Sequence, residues 1–403
     1  MMMMLKSTAL LLSLHFLGAL SSPTFHHQAR DSSCTPKSGA KDDTPAIMNA
    51  ISKCGDGGTI TLPQGEQYTI DTPLDFKKCK GCKVHLEGTL KATSDVDKWS
   101  KENAIIVLKN VNGLTLTSTK GTGVIDGNGQ DAWDAFAKNK NLKRPRLISV
   151  AGCTDITVSN LYLKNPPTFF IAQNGGSSNV HYSDLTLYAH SKSDSPAKNT
   201  DGIDIGDSKY TTIKNVHITN FDDCIAFKPG CDYLDVNNVT CAGNSHGLSV
   251  GSLGKGSDDK VTNVYVKDAH MINATKAAGI KVYDGSKGRG TPYVKNVTWE
   301  NVHVDNCDYA AQIQSCYGIS GDKTCNDTPS KAELYDVKFL NFHGTVSKKY
   351  APVDANINCP GAGKCDVSFD KWDISVPGDE KAYALCAAQP KDLPINCHPG
   401  AFR

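Results

Sequence analysis

Short strand-like runs recur along this chain with a period in the low twenties, and that repetition limits the fold more than any other feature. Runs rich in Val, Ile and Thr surround Asn-Val or Asp-Val pairs: Lys214-Asn215-Val216-His217-Ile218, Asn237-Asn238-Val239-Thr240, Thr262-Asn263-Val264-Tyr265-Val266, Lys295-Asn296-Val297-Thr298-Trp299 and Tyr335-Asp336-Val337-Lys338-Phe339. A second series lies between them: Gly202-Ile203-Asp204-Ile205, Cys224-Ile225-Ala226-Phe227, Gly247-Leu248-Ser249-Val250 and Gly279-Ile280-Lys281-Val282. Ile203 to Ile225 is 22 residues and Ile225 to Leu248 is 23. Aligning Gly279 with Gly247 makes the next step 32, and the excess is assigned to the polar insertion Leu253 to Lys260. A period of this size with several short strands in each unit is the signature of a stacked solenoid.

Leucine-rich repeats share the period, but their Leu-x-x-Leu-x-Leu consensus is absent and no helical 3.6-residue pattern recurs. Each unit instead offers about three strands of alternating apolar and polar residues separated by Gly, Asn and Asp. The all-β solution is a single-domain right-handed parallel β-helix. Thr59–Leu62, Lys83–Lys91, Ala104–Leu108, Leu114–Thr117, Leu147–Val150 and Ile156–Leu163 fit additional coils, and the amphipathic stretch Thr44–Cys54 fits a short helix capping the N-terminal end. A β-sandwich would need antiparallel hairpins and leaves the period unexplained. No interdomain linker is visible.

Lys6 precedes an apolar run, Thr8 to Leu20, followed by small residues, which reads as a signal peptide over 1–21. The run is shorter than a membrane span requires. The mature domain is then 22–403, with 22–33 read as a disordered or pro-segment, and the protein is expected to be secreted and extracellular. Fifteen cysteines suit an oxidising compartment. Cys224 with Cys241, Cys359 with Cys365, and Cys386 with Cys397 read as local staples, and an odd count leaves at least one thiol free. Cys79-x-x-Cys82 has no second ligand pair at zinc spacing, so no metal is expected. Asn238, Asn273, Asn296 and Asn326 begin Asn-x-Ser/Thr glycosylation tripeptides. The formal net charge of +1 argues against a nucleic-acid binder. No association signal appears, so a monomer is expected, without a membrane partner.

Equivalent positions on successive coils of a solenoid lie about 4.8 Å apart. Asp201, Asp222/Asp223 and His246 each sit just before an aligned strand, so three consecutive coils bring them to one face. A lone Asp beside Gly is ordinarily a turn residue; three in register with a histidine point to chemistry. Crowding of carboxylates raises the proton affinity of one and leaves another ionised, which is the acid and base pair that glycosidic cleavage needs. Neighbours on a regular strand face opposite ways. Asp222 and Asp223 can therefore both reach the site only where the backbone turns.

Asn199-Thr200-Asp201, Asp222-Asp223, Ser245-His246-Gly247 and Ile280-Lys281 resemble the four ordered motifs of glycoside hydrolase family 28, the polygalacturonases and related pectinases, and the resemblance covers nearly the whole mature chain. It implies a right-handed parallel β-helix and inverting hydrolysis of an acidic plant cell-wall polysaccharide without a cofactor. It implies Asp222 as general acid, Asp201 and Asp223 as holders and activators of water, and His246 as a tuning or orienting group. Lys281 would grip a galacturonate carboxylate, Tyr317 in Gln314-Ser315-Cys316-Tyr317-Gly318 would face substrate, and Asn199 would stand beside them. Lys228 and Lys255 are further candidates for a cationic patch, and Trp133, Phe169, Phe170 and Tyr283 for stacking on sugars.

Two departures stand out. Ser245 replaces a usual Gly, and Gly279 replaces an Arg whose fork suits carboxylates. Lys276-Ala277-Ala278-Gly279-Ile280-Lys281, Asp308-Tyr309-Ala310 and the run around Tyr317 most resemble the endo-xylogalacturonan hydrolases, whose backbone galacturonates carry xylose. Gly279 is then expected to leave room for the branch. Polygalacturonase action on the unbranched polymer, from inside or from its end, is the nearest alternative. A calcium-dependent pectate lyase and a non-catalytic pectin-binding β-helix are the alternatives from other classes.

Overall fold

Apolar residues of successive coils stack in files inside the molecule. Ile213, Val236, Val266 and Trp299 form one such file and Ile218, Cys241, Met271 and Val304 another, all of them buried. The computed structural model describes residues 32–319, 325, 327–378, 380–389 and 393–400. The expected leader at 1–21 and Asn326 lie outside the described residues, as does all but the end of 22–33. Parallel strands build one sheet of fifteen strands and one of twelve, giving a right-handed parallel β-helix that runs from Ser33 to Pro399.

The long strands of the first sheet, such as Ser208–Asn220 and Cys231–Gly243, are bent rather than straight. Asp184, Asn215, Asn238, Asp268, Asn301 and Asn341 occupy one register file with φ between 53° and 57°. This left-handed backbone is tolerated by Asn and Asp. The amides bond along the file, Asn215 to Asp184 at 2.9 Å and Asn238 to Asn215 at 2.9 Å. Asn263, Asn296 and Asp336 form a separate corner file. The recurring Asn-Val and Asp-Val pairs thus mark two different corners of the coil.

Thr44–Cys54 is helical and buries Thr44, Ile47, Ala50, Ile51 and Cys54 against the first coil, with Cys54 bonded to Cys34. Helices at Val96–Trp99 and Gln130–Lys138 were not expected. Six disulfides are present. They include the three expected pairs, Cys224–Cys241, Cys359–Cys365 and Cys386–Cys397, together with Cys79–Cys82 and Cys316–Cys325. Cys153, Cys231 and Cys307 are free and buried. Among the described residues no helix is long and apolar enough to cross a membrane.

One register differs from the sequence alignment. Ile203 pairs with Ile225 and Ile225 with Leu248, as expected, but Leu248 pairs with Ala278 and Val250 with Ile280. The step is therefore 30 residues rather than 32. A slip of two preserves the alternation of inward and outward residues, so the hydrophobic pattern could not detect it.

Candidate active site

The turns leading from the first sheet into the second carry Asn199, Asp201, Asp222, Asp223 and His246, whereas Gly279 and Lys281 lie in the strand Ala278–Val282 and Lys228 directly follows Ile225–Phe227. Asp222 and Asp223 lie between Ser208–Asn220 and the short strand Ile225–Phe227, so the backbone does turn where both carboxylates must reach one face. Asn220 fixes that turn, its side-chain amide donating to the carbonyls of Thr200, Asp222 and Asp223 at 2.8–3.0 Å. Ser245 also holds it, its hydroxyl donating to the carbonyl of Asp222 at 3.3 Å and accepting from the Gly247 amide at 3.1 Å. Gly247 has φ +78°, and a Cβ there would stand 2.0 Å from the carbonyl oxygen of Lys276.

Strand register sets the residues in rows. Extending the pairings back through the turns places Phe169, Asp201, Asp223, His246, Lys276 and Tyr309 in one row along the cleft edge. Outward-facing positions of the short strands form the next: Asp204, Ala226, Ser249, Gly279, Gln312 and Asn356.

Asp222 is the most exposed of the three expected carboxylates, its side chain 19 % accessible against 5 % for Asp201 and 1 % for Asp223. Its Oδ1 lies 3.1 Å from His246 Nδ1 and accepts the Asp223 amide at 2.9 Å. Its Oδ2 accepts from Asn199 Nδ2 at 3.2 Å. Arg144 holds Asn199 in turn, donating from Nη2 to Asn199 Oδ1 at 2.8 Å and from Nη1 to the carbonyls of Pro167 and Lys198. Burial raises the proton affinity of Asp222, but the bond and charge of His246 and the Asp223 amide outweigh it and hold the carboxyl below the ordinary range.

Asp223 is fully buried. Its Oδ2 accepts from Lys281 Nζ at 2.6 Å and its Oδ1 from Ser249 Oγ at 2.8 Å. Burial opposes ionisation, yet Lys281, Lys276 and Lys228 overcome it and keep Asp223 ionised far below the usual carboxylate range. Asp201 goes the other way. Burial and repulsion from Asp204, Asp222 and Asp223 push it well up, against the pull of Lys228. Lys228 joins the group, with Nζ 3.5 Å from Asp204, 3.7 Å from Asp223 and 3.9 Å from Asp201. The cluster therefore contains a strongly ionised carboxylate beside a proton-retaining one, the divergence that acid–base chemistry requires.

Three participants were missed in the sequence. Asp204 is buried and raised to about 6 by burial, with Lys228 opposing. Lys276 is 3 % exposed, donates to the carbonyl of His246 at 2.6 Å, and is lowered to about 7 by burial and by Lys281. Arg144 comes from a loop more than fifty residues upstream of Asn199, and no local pattern marks it. For Lys276 a signal existed: the correct register places it directly after His246.

Gly279 corrects the expectation of open space. It is buried, and a Cβ there would stand 2.1 Å from the Gln312 carbonyl oxygen and 3.0 Å from Lys276 Cδ. The missing side chain makes room for the next coil and for the stem of Lys276, not for a sugar branch. Tyr317 is half-buried, with Lys281 Nζ 5.4 Å from its ring centroid, and Tyr283 packs edge-on against it at 5.6 Å. Lys255 sits over the Tyr283 ring at 5.3 Å. Trp133 and Phe170 are buried and so are packing residues, whereas Phe169 is partly exposed, 5.8 Å from Arg146. Asn238, Asn273 and Asn296 are exposed.

Asp222, Asp223 and His246 bring ligand atoms within 4.8 Å of one another. Calcium asks for six to eight oxygens. Here the oxygens of Asp223 are committed to Lys281 and Ser249, and those of Asp222 to Asn199, His246 and a backbone amide. With a lysine ammonium already at the centre, the set suits proton transfer rather than calcium ligation.

The profile of the family described as Glycosyl hydrolases family 28 matches residues 54–394. This chain belongs to that family. Family 28 relatives include endo-xylogalacturonan hydrolase A of Aspergillus tubingensis, 48% identical over 98% of this chain and 99% of the relative, and a probable endo-xylogalacturonan hydrolase A of Emericella nidulans, 49% identical over 94% and 95%. The crystal structure of the Aspergillus tubingensis endo-xylogalacturonan hydrolase superposes with a TM-score of 0.90, at 49% identity, covering 92% of this chain and all of that one. An endopolygalacturonase I from Stereum purpureum, solved with two galacturonates, shares the fold at 20% identity and a TM-score of 0.57.

Proposed function

We propose that this protein is an inverting glycoside hydrolase that cuts inside the galacturonic-acid backbone of xylogalacturonan, using Asp222 as general acid. The observation that carries the mechanism is the contrast within the cluster: Asp222 stands open to the cleft above Asp223, which two ammonium groups and a hydroxyl keep ionised. The substrate reading rests on the near-full-length likeness to enzymes of that name.

In this reaction Asp222 gives its proton to the departing glycosidic oxygen as the C1–O bond breaks. Water attacks C1 from the opposite side and passes a proton to Asp223, while Asp201, the proton-retaining carboxyl, orients the water. In the free cleft His246 holds Asp222 below the ordinary range. An entering galacturonate brings a second negative charge and excludes water, both of which raise a carboxyl; substrate binding thus loads the acid. Lys281 and Tyr317 receive the sugar beside the cluster. Residues 1–21 direct secretion of a monomer that carries glycans on Asn238, Asn273, Asn296 and Asn326.

Wild-type enzyme is expected to release reducing ends faster from xylogalacturonan than from polygalacturonate, with mixed oligomers from the start. Cutting of the unbranched polymer alone overturns the substrate assignment, and ultraviolet-absorbing unsaturated ends overturn hydrolysis. Asp222→Asn should lower kcat about 10²–10⁴-fold, the usual worth of a general acid. Oxygens of Asp222 and Asp223 approach closer than the roughly 6.5–9.5 Å usual between the carboxyls of inverting enzymes, so NMR of freshly formed product, expected to show the inverted anomer, is the independent check.

A further inference from the structure

The cleft row continues beyond the catalytic cluster into a recess that the mechanism does not use. Tyr309 follows Lys276 in the row and Asn356 follows Gln312 in the neighbouring one, so both lie on the face that carries Asp223 and Ser249. Tyr309 is three coils beyond Asp223, about 14 Å along the solenoid. There Tyr309, Lys349, Tyr350, Asn356, Tyr383 and Leu385 line a recess of about 400 Å³, within the range of small-ligand sites. Tyr350 stacks on Tyr309 with centroids 4.8 Å apart and planes within 5°. Tyr383 is stacked on His398 at 4.3 Å. Asn356 Oδ1 is buried without a hydrogen-bond partner among the described residues.

The charge of this recess differs from that of the cluster. Lys349 is its only ionised lining residue, and its ammonium is bound to Asp308 at 2.6 Å, with Ser347 also donating to Asp308 at 2.9 Å. No uncommitted cation remains among the lining residues to receive a galacturonate carboxylate. Aromatic walls with neutral polar groups instead suit an uncharged sugar ring.

We infer that this recess binds the neutral pentose branch of the substrate, on a backbone residue lying a few coils from the scissile bond. The inference rests on the xylogalacturonan reading and gives that preference a location, which the buried Gly279 does not. Tyr350 and Tyr383 form its walls. Branch selection is thereby separated from the carboxylate grip of Lys281.

Tyr350→Ala and Tyr383→Ala test this with steady-state kinetics on xylogalacturonan and polygalacturonate side by side. Each substitution is expected to raise KM for the branched polymer and to lower the ratio of the two kcat/KM values about tenfold, the upper range for loss of one aromatic contact. Calorimetric titration of the Asp222→Asn enzyme with a xylosylated galacturonide, against an unbranched one of equal length, should show the same preference, reduced by adding either tyrosine change. Equal losses on both polymers, or no loss on either, overturn the branch site while leaving the xylogalacturonan reading standing. A wild-type enzyme that fails to cut xylogalacturonan removes both. Thermal unfolding of each variant separates a folding defect from a binding one, and Tyr383→Ala, which leaves the Tyr309–Tyr350 stack intact, decides where Tyr350→Ala unfolds.

Discussion

Gly279 lies where two neighbouring groups already fill the direction a side chain would take. In the folded chain the Cβ vector of Gly279 points at the Gln312 carbonyl oxygen and at the Lys276 stem. The space belongs to the protein, and the cation is supplied from the row beside it, since Lys276 contributes to keeping Asp223 ionised. Gly279→Ala is therefore expected to destabilise by about 1–3 kcal/mol, the usual cost of overpacking, and to lower Tm by several degrees in calorimetry. Its specificity ratio between branched and linear polymers should stay close to wild type where the protein is folded. Native Tm with a selective loss on the branched polymer would return the residue to the role of branch acceptor.

Among the elements, the catalytic turn depends on restraints outside the aspartates. Cys224 follows Asp223 directly and is bonded to Cys241, closing a loop of sequence separation 17. Removing both sulfurs by Cys224→Ala with Cys241→Ala should cost about 3 kcal/mol on loop-closure grounds, seen as a Tm lower by about 5 °C; an unchanged Tm would show that Asn220 and Ser245 alone fix the turn. Strands, capping helix and the three motif carboxylates were legible in the sequence because each repeats with the coil or carries a local pattern. The bends were not, because Asn215 and Asn263 carry the same Asn-Val signature at different corners. Lys276 was hidden by the two-residue slip. Arg144 was hidden because its partner Asn199 is far along the chain. Gln130–Lys138 is too short to stand out against the strand pattern. What a solenoid writes periodically can be read; what a loop contributes from outside the period cannot.

For the whole molecule, gathering four carboxylates and three lysines in one cleft makes stability follow pH. Asp204 is raised by burial to about 6, against an ordinary 3.8, and Asp201 is raised as well. A carboxyl whose folded-state proton affinity exceeds its unfolded one stabilises the fold fully below the unfolded value, and that contribution disappears as pH rises through the folded value. Asp222 and Asp223 are lowered, so their contribution is present above 3.8 and is lost on acidification below it. From about pH 5 to 6 the lowered pair is already ionised in both states, and the raised pair governs the slope. Wild-type Tm should fall across that window, with Asp204 contributing up to about 3 kcal/mol for its shift of roughly two units. Asp204→Asn removes the titration while leaving Lys228 beside Asp201 and Asp223. Its Tm should therefore decline less steeply than wild type from about pH 5 to 6 and lie above it by a few degrees at pH 7. Parallel Tm curves for the two proteins across this window would mean that Asp204 is ionised throughout and that Lys228, rather than burial, sets its charge.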